Sequence, residues 1–141
     1  MNIERIDSLD EKIKKQRVAY IAIAIMLIGI EFVIGLFVHD KIIRPYVGDI
    51  IVVVILYAIV RAVTPRLKQP VAAYVFVFSA AYEFTQMLPL VDVLGIHNQF
   101  LRVLMGTSFS WMDIVCYLIG CSFCFGQDLV IRKAIKRDIH E

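Results

Sequence analysis

An all-α, four-helix transmembrane bundle is the fold this sequence predicts, and three observations predict it. Of the 141 residues, 60% are hydrophobic, against about 45–50% in an ordinary soluble domain. With a mean hydropathy of +0.74, the excess is gathered into four blocks rather than spread along the chain. Lysine and arginine are segregated between alternate connections. A soluble helical core would need apolar stripes at helical spacing, whereas these blocks are apolar all round. The length suits one compact unit.

A spanning helix needs about 20 mostly apolar residues. The first block covers residues 18–38, with Glu31 its only charge. The second covers about residues 46–64, and its charge-free centre "IIVVVILYAIV" lies between Asp49 and Arg61. Arg61 can snorkel to the interface. The third, residues 71–91, carries Glu83, and the fourth, about residues 109–131, is charge-free between Asp113 and Asp128. Seventeen mostly polar residues precede the first block. Its apolar stretch exceeds the ~7–15 residues of a secretory signal, so it is expected to remain in the mature protein. The chain then divides into a helical N-terminal arm (1–17), a four-span domain (18–131) and a basic tail (132–141).

Orientation follows from the cations. The arm holds Arg5, Lys12, Lys14, Lys15 and Arg17. The connection between spans two and three holds Arg61, Arg66 and Lys68, and the tail holds Arg132, Lys133, Lys136 and Arg137. The opposite side has Lys41, Arg44 and Arg102. Positive charge is retained in the cytoplasm, which places both termini inside. No basic patch is interleaved with aromatics, so nucleic acid is excluded as a partner.

Local signals mark the ends. Ser8 and Glu11 fit a capping box, and Ile3, Ile6, Leu9 and Ile13 share one side of the arm, as in a helix lying on the membrane surface; a solvated helical extension is the alternative. Pro65 and Pro70 bracket one turn, and Pro45 with Gly48 mark a tight outer connection. The longest loop contains "IHNQFLRVLM", which fits a short interfacial helix between spans three and four. Trp111 suits the headgroup level. Cys116, Cys121 and Cys124 read as small packing residues, and Gly29, Gly35, Gly120 and Gly126 as sites of close helix approach.

The acids carry the functional signal. At ~1.5 Å per residue, Glu83 lies about 18 Å and Glu31 about 20 Å from the inner edges of their spans. Asp49 and Asp113 lie near the outer ends of spans two and four, so every span brings a carboxylate to the outer half of the bilayer. Ser79, Glu83 and Gln86 occupy one helical face, at i, i+4 and i+7. A charge at the centre of a lone helix costs ~2.5–3.5 kcal/mol, which turns these groups inward. Arg44 is the expected partner, since a planar guanidinium bridges two carboxylates. His39, Lys41, His97 and Arg102 are the other nearby bases. No metal-ligand spacing is present and no cofactor is implied.

The runs "FVHDKIIRPYVGDIIVVVILY", "YEFTQMLPLVD" and "GTSFSWMDIVCYLIG" resemble a bacterial family of small integral membrane proteins, domain of unknown function 2809. The E-x-x-Q, the Ser/Thr-containing turn and the Asp opening the last span also resemble the wider VanZ-like group. The resemblance implies a four-helix protein of the bacterial cell membrane with polar motifs near the outer surface. It points to Arg44, Asp49, Glu83, Gln86, Ser108, Trp111 and Asp113 as site residues, to which the residue reading adds Glu31. Four functions stay open: a site for an amphiphilic or lipid-linked ligand; an enzyme on such a ligand with Glu83 or Asp113 as general acid/base; a proton-coupled transporter; or a structural bundle with a buried ion-pair network. Membrane lipids are expected partners, and a homo-oligomer is compatible with all four.

Overall fold

The computed structural model describes residues 3–67, 69–88, 90–99, 101 and 109–140, and among these every element is helical. The helices are α1 (Ile3–Phe37), α2 (Ile43–Val63), α3 (Val71–Met87), α4 (Leu90–Val93) and α5 (Trp111–His140). Three of them contain segments long and apolar enough to cross a membrane: α1, α2 and Trp111–Ala134 of α5.

Two boundaries differ from the hydropathy reading, and both differences trace to proline. α3 has 17 residues, ~26 Å at ~1.5 Å per residue, and it stops at Met87 instead of reaching Val91. Leu88 is extended (φ −85°, ψ 135°), as a residue preceding proline prefers; residue 89 is that proline. In the outer connection, Pro45 and Gly48 lie inside α2, not in the turn. Proline is tolerated in a first helical turn because its missing N–H has no helical acceptor there. The turn itself is set by Asp40, whose Oδ1 accepts from Ile42 N at 2.9 Å.

The capping box does not form. α1 is already helical at Ile3, and Ser8 Oγ bonds back to Arg5 O at 3.0 Å. Arm and first span are therefore one continuous helix of 35 residues. The tail likewise continues α5. After α4, the chain turns at Gly95, where φ is 62°, a conformation glycine adopts without a Cβ penalty. Half of the interfacial helix expected over residues 96–105 falls outside the described residues; residues 96–98 are not helical, while Gln99 and Leu101 have helical backbone.

α2 is the central element, packing against α1, α3 and α5, while α3 also packs on α5. The core comprises Val53, Tyr57, Val71, Ala72, Val75, Tyr117, Cys121 and Cys124. Gly120 permits the tight α2–α5 crossing: a Cβ there would lie 3.2 Å from Ile50 O and 3.3 Å from Val53 Cγ1. Gly29 and Gly126 face open space. The cysteines are free and buried. On α1 only Ala24 is buried, and side chains such as Val18, Ile25, Phe32 and Phe37 point outward. An apolar surface of this extent matches acyl chains rather than water.

Candidate acidic recess

Glu83 is the anchor. Only 1% exposed, it sits one helical turn above Ser79 on the buried face of α3. Ser110 N donates to Glu83 Oε1 at 3.0 Å. Tyr117 Oη and Gln86 Nε2 donate to Oε2 at 3.3 and 3.4 Å. Three donors therefore replace the water that a carboxylate would lose on burial. One comes from Ser110, just ahead of α5, and one from Tyr117 within it, so Glu83 also ties the outer loop's exit to α3.

Asp49 on α2 lies near Asp113 on α5, and Glu31 and Glu83 are near enough for their charges to act on it. Glu31 reaches across from α1 by lying over Gly48, where a Cβ would meet its Oε1 at 2.9 Å. Glu31 Oε2 is buried without a hydrogen-bond partner, as is Ser79 Oγ. Each of the other three long helices thus brings one acid to the neighbourhood of Asp49.

The expected counter-ion does not arrive. Among the described residues, no ion pair within 4.0 Å joins Arg44 to any of these acids. Arg44 is instead exposed on the first turn of α2 and leans over α1, with Nη2 3.5 Å from the Cβ position of Gly35. It shares with Glu31 a groove of about 500 Å³ whose other walls are Ile28, Phe32, Gly35, Leu36 and Ile55. His39 and His97 bond to local carbonyls, of Phe37 and Gly95.

Trp111 stands apart from the carboxylates. It is 69% exposed and packs edge-on against Phe109 and Phe84, whose own rings stack at 5.5 Å. Ser108 and Arg102 lie outside the described residues. Among the described residues, no group of three or more His, Cys, Asp or Glu is arranged to hold a metal ion.

A second polar cluster, at the other end of the bundle, went unrecognised in the sequence. Arg61 does not snorkel; it is 1% exposed and Asp128 is 0% exposed. Asp128 Oδ1 accepts from Tyr57 Oη at 2.8 Å, from Arg61 Nε at 3.1 Å and from Arg61 Nη2. Its Oδ2 accepts from Ala72 N at 3.0 Å, supplying from α5 the N-terminal cap that Pro70 cannot give α3. Arg61 Nη1 donates to Leu67 O at 2.9 Å. The signal was present as spacing: Tyr57 and Arg61 are i, i+4, and Asp128 extends the Tyr117–Cys121–Cys124 stripe by one turn.

Apolar helices that carry lipid-facing side chains outward and gather their acids inward define a helical membrane protein. Within that class, the model of the family of proteins of unknown function DUF2809 matches residues 38–121, more than half of the chain, and the protein belongs to that family. No curated protein and no solved structure matches it.

Proposed function

We propose that this protein is a multi-pass protein of the bacterial cell membrane that holds an amphiphilic or lipid-linked ligand at the acidic recess, with both termini on the cytoplasmic side. The observation carrying this reading is the groove between α1 and α2, in which one acid, Glu31, and one base, Arg44, sit among apolar walls. A pocket of ~300–1,000 Å³ with a few convergent polar groups is the usual form of a small-ligand site. Ligand hydrocarbon lies along Ile28, Phe32, Leu36 and Ile55, and an anionic head group meets Arg44. Hydroxyl or amide donors of the head meet the Glu31 carboxylate. Glu83 and Gln86, whose hydrogen bonds are internal, position the recess instead of touching the ligand. Asp49 and Asp113 supply its negative field.

Catalysis is the weaker reading because Glu83, the first candidate base, is enclosed and already bonded to three donors. The test is native mass spectrometry on the purified protein, comparing wild type with Glu31→Gln and Arg44→Gln. Binding predicts an amphiphile that co-purifies unchanged and is lost from both variants while helicity and monodispersity are kept. A processed ligand would establish the enzyme reading. Retention unaffected by both substitutions would refute the site. Reporter fusions to each terminus test the orientation, and an external C-terminus would overturn it.

A further inference from the structure

We infer that the basic end of the bundle holds a second, separate binding site, for a phosphate-bearing anion, in the cavity between the α1 arm and the α2–α3 turn. This cavity, about 670 Å³, is lined by Asp10, Ile13, Lys14, Arg17 and the turn residues from Val63 to Leu67, Arg66 among them. It shares no residue with the groove of Glu31 and Arg44, so it stands whether or not that groove binds anything.

Three cations and one acid face this space. Lys14 and Arg17 are neighbours one turn apart on α1, and neither makes an ion pair among the described residues. Arg66 is steered toward them from the facing turn by Asp10, at 3.6 Å. Three carbonyls at the end of α2 and in the turn are already occupied. Val60 O accepts from both Thr64 N (2.8 Å) and Thr64 Oγ1 (2.6 Å). Thr64 O accepts from Leu67 N, and Leu67 O from Arg61 Nη1. What remains unfilled is donor capacity: the Lys14 ammonium, the Arg17 guanidinium and the part of the Arg66 guanidinium not turned to Asp10. Guanidinium groups match phosphate oxygens in bidentate geometry.

The position fixes the source. Arg17 immediately precedes the apolar stretch of α1, and Val63 and Thr64 close α2, so the cavity lies at the level where a phospholipid phosphate would sit. Ile13, Val63, Pro65 and Leu67 give it apolar walls, which suit a glycerol backbone and the first methylenes of acyl chains and do nothing for inorganic phosphate. Basic pockets beside spanning helices bind anionic head groups in this manner. The ligand is the phosphodiester head of an anionic phospholipid, bound at Arg17, Lys14 and Arg66.

The test uses the full-length protein in nanodiscs made of phosphatidylcholine alone or mixed equally with phosphatidylglycerol, with native mass spectrometry counting retained lipid and thermal unfolding as a second readout. Phosphatidylglycerol is expected to be retained over phosphatidylcholine and to raise the melting temperature. Arg17→Gln or Arg66→Gln should each weaken that preference about fivefold, from ~1 kcal/mol per basic residue at an anionic surface. Both side chains are exposed, so the variants keep the fold. Arg5→Gln removes the same charge outside the cavity and should leave the preference intact. Inorganic phosphate added to the phosphatidylcholine sample is the second arm. Stabilisation by it that vanishes in Arg17→Gln supports the site with a free phosphate as its ligand. Equal retention of both lipids with no phosphate effect overturns the inference, as does an Arg5→Gln loss equal to that of Arg17→Gln.

Discussion

Replacing Asp128 with alanine is the perturbation with the largest expected effect on the fold. The substitution leaves Arg61, 1% exposed, with its charge enclosed, its Nη2 donor facing a void and its Nε with only the longer bond to Tyr57 Oη at 3.4 Å. It also strips the acceptor from Tyr57 Oη and the cap from Ala72 N. Removing one member of a buried pair costs ~3–5 kcal/mol, because the survivor stays desolvated and unpaired. A lost helix cap adds ~1 kcal/mol. With ~2–4 °C per kcal/mol for a chain of this size, the melting temperature in detergent or nanodiscs should fall by roughly 8–24 °C. The double variant Arg61→Met with Asp128→Leu removes both charges and should recover most of that loss, since apolar replacement of a whole buried pair is often neutral. The assay is thermal unfolding followed by far-UV circular dichroism on all three proteins. A fall under ~1 kcal/mol in Asp128→Ala, the range of an exposed ion pair, would mean that Arg61 escapes to water and would refute the enclosure argued above.

Other expectations are as direct. Gly120→Ala places a methyl 3.2 Å from a backbone carbonyl that cannot swing aside, and overpacking of this kind costs ~1–3 kcal/mol, measurable by the same melt. Gly48→Ala meets only the tip of Glu31 at 2.9 Å; it should leave the melt within about 1 kcal/mol of wild type yet reduce ligand retention as Glu31→Gln does. Glu83→Ala leaves Ser110 N and Tyr117 Oη without their acceptor, at ~1–3 kcal/mol for each group left unsatisfied, and limited proteolysis should cut the outer loop faster. Cys116, Cys121 and Cys124 are buried and should resist maleimide in intact membranes, reacting only after denaturation; rapid labelling of the native protein would contradict the packing of α5.

Much of this architecture could be read from residues alone. Most of each of the four blocks lies within the helices found, because hydropathy averaged over a span tolerates single errors. Convergence of the acids was also legible, since inward-turned carboxylates at one depth in a small bundle have few places to go. Partners were not legible. Arg61 and Asp128 each looked like an interfacial boundary charge, and their pairing depends on the crossing of α2 and α5, which Gly120 sets at close range. Arg44 looked like the bridge between acids, but α2 begins early enough to put it on the first turn, leaning over Gly35. Pro45 and Gly48 resembled turn residues because their composition is shared by turns and by a helix that must admit a neighbour's carboxylate. Pro89 did mark the end of α3, and the length of the apolar run masked it.

The cap on α3 comes from a residue made long after α3 itself. Ala72 N and Asp128 are separated by 56 positions, so a nascent chain exposes the start of α3 and the guanidinium of Arg61 until the final helix emerges. Assembly therefore has a closing step: entry of α5 latches its predecessors together. Chains truncated ahead of Asp128 should be recognised by quality-control proteases as unfinished, even with the first three helices already translated.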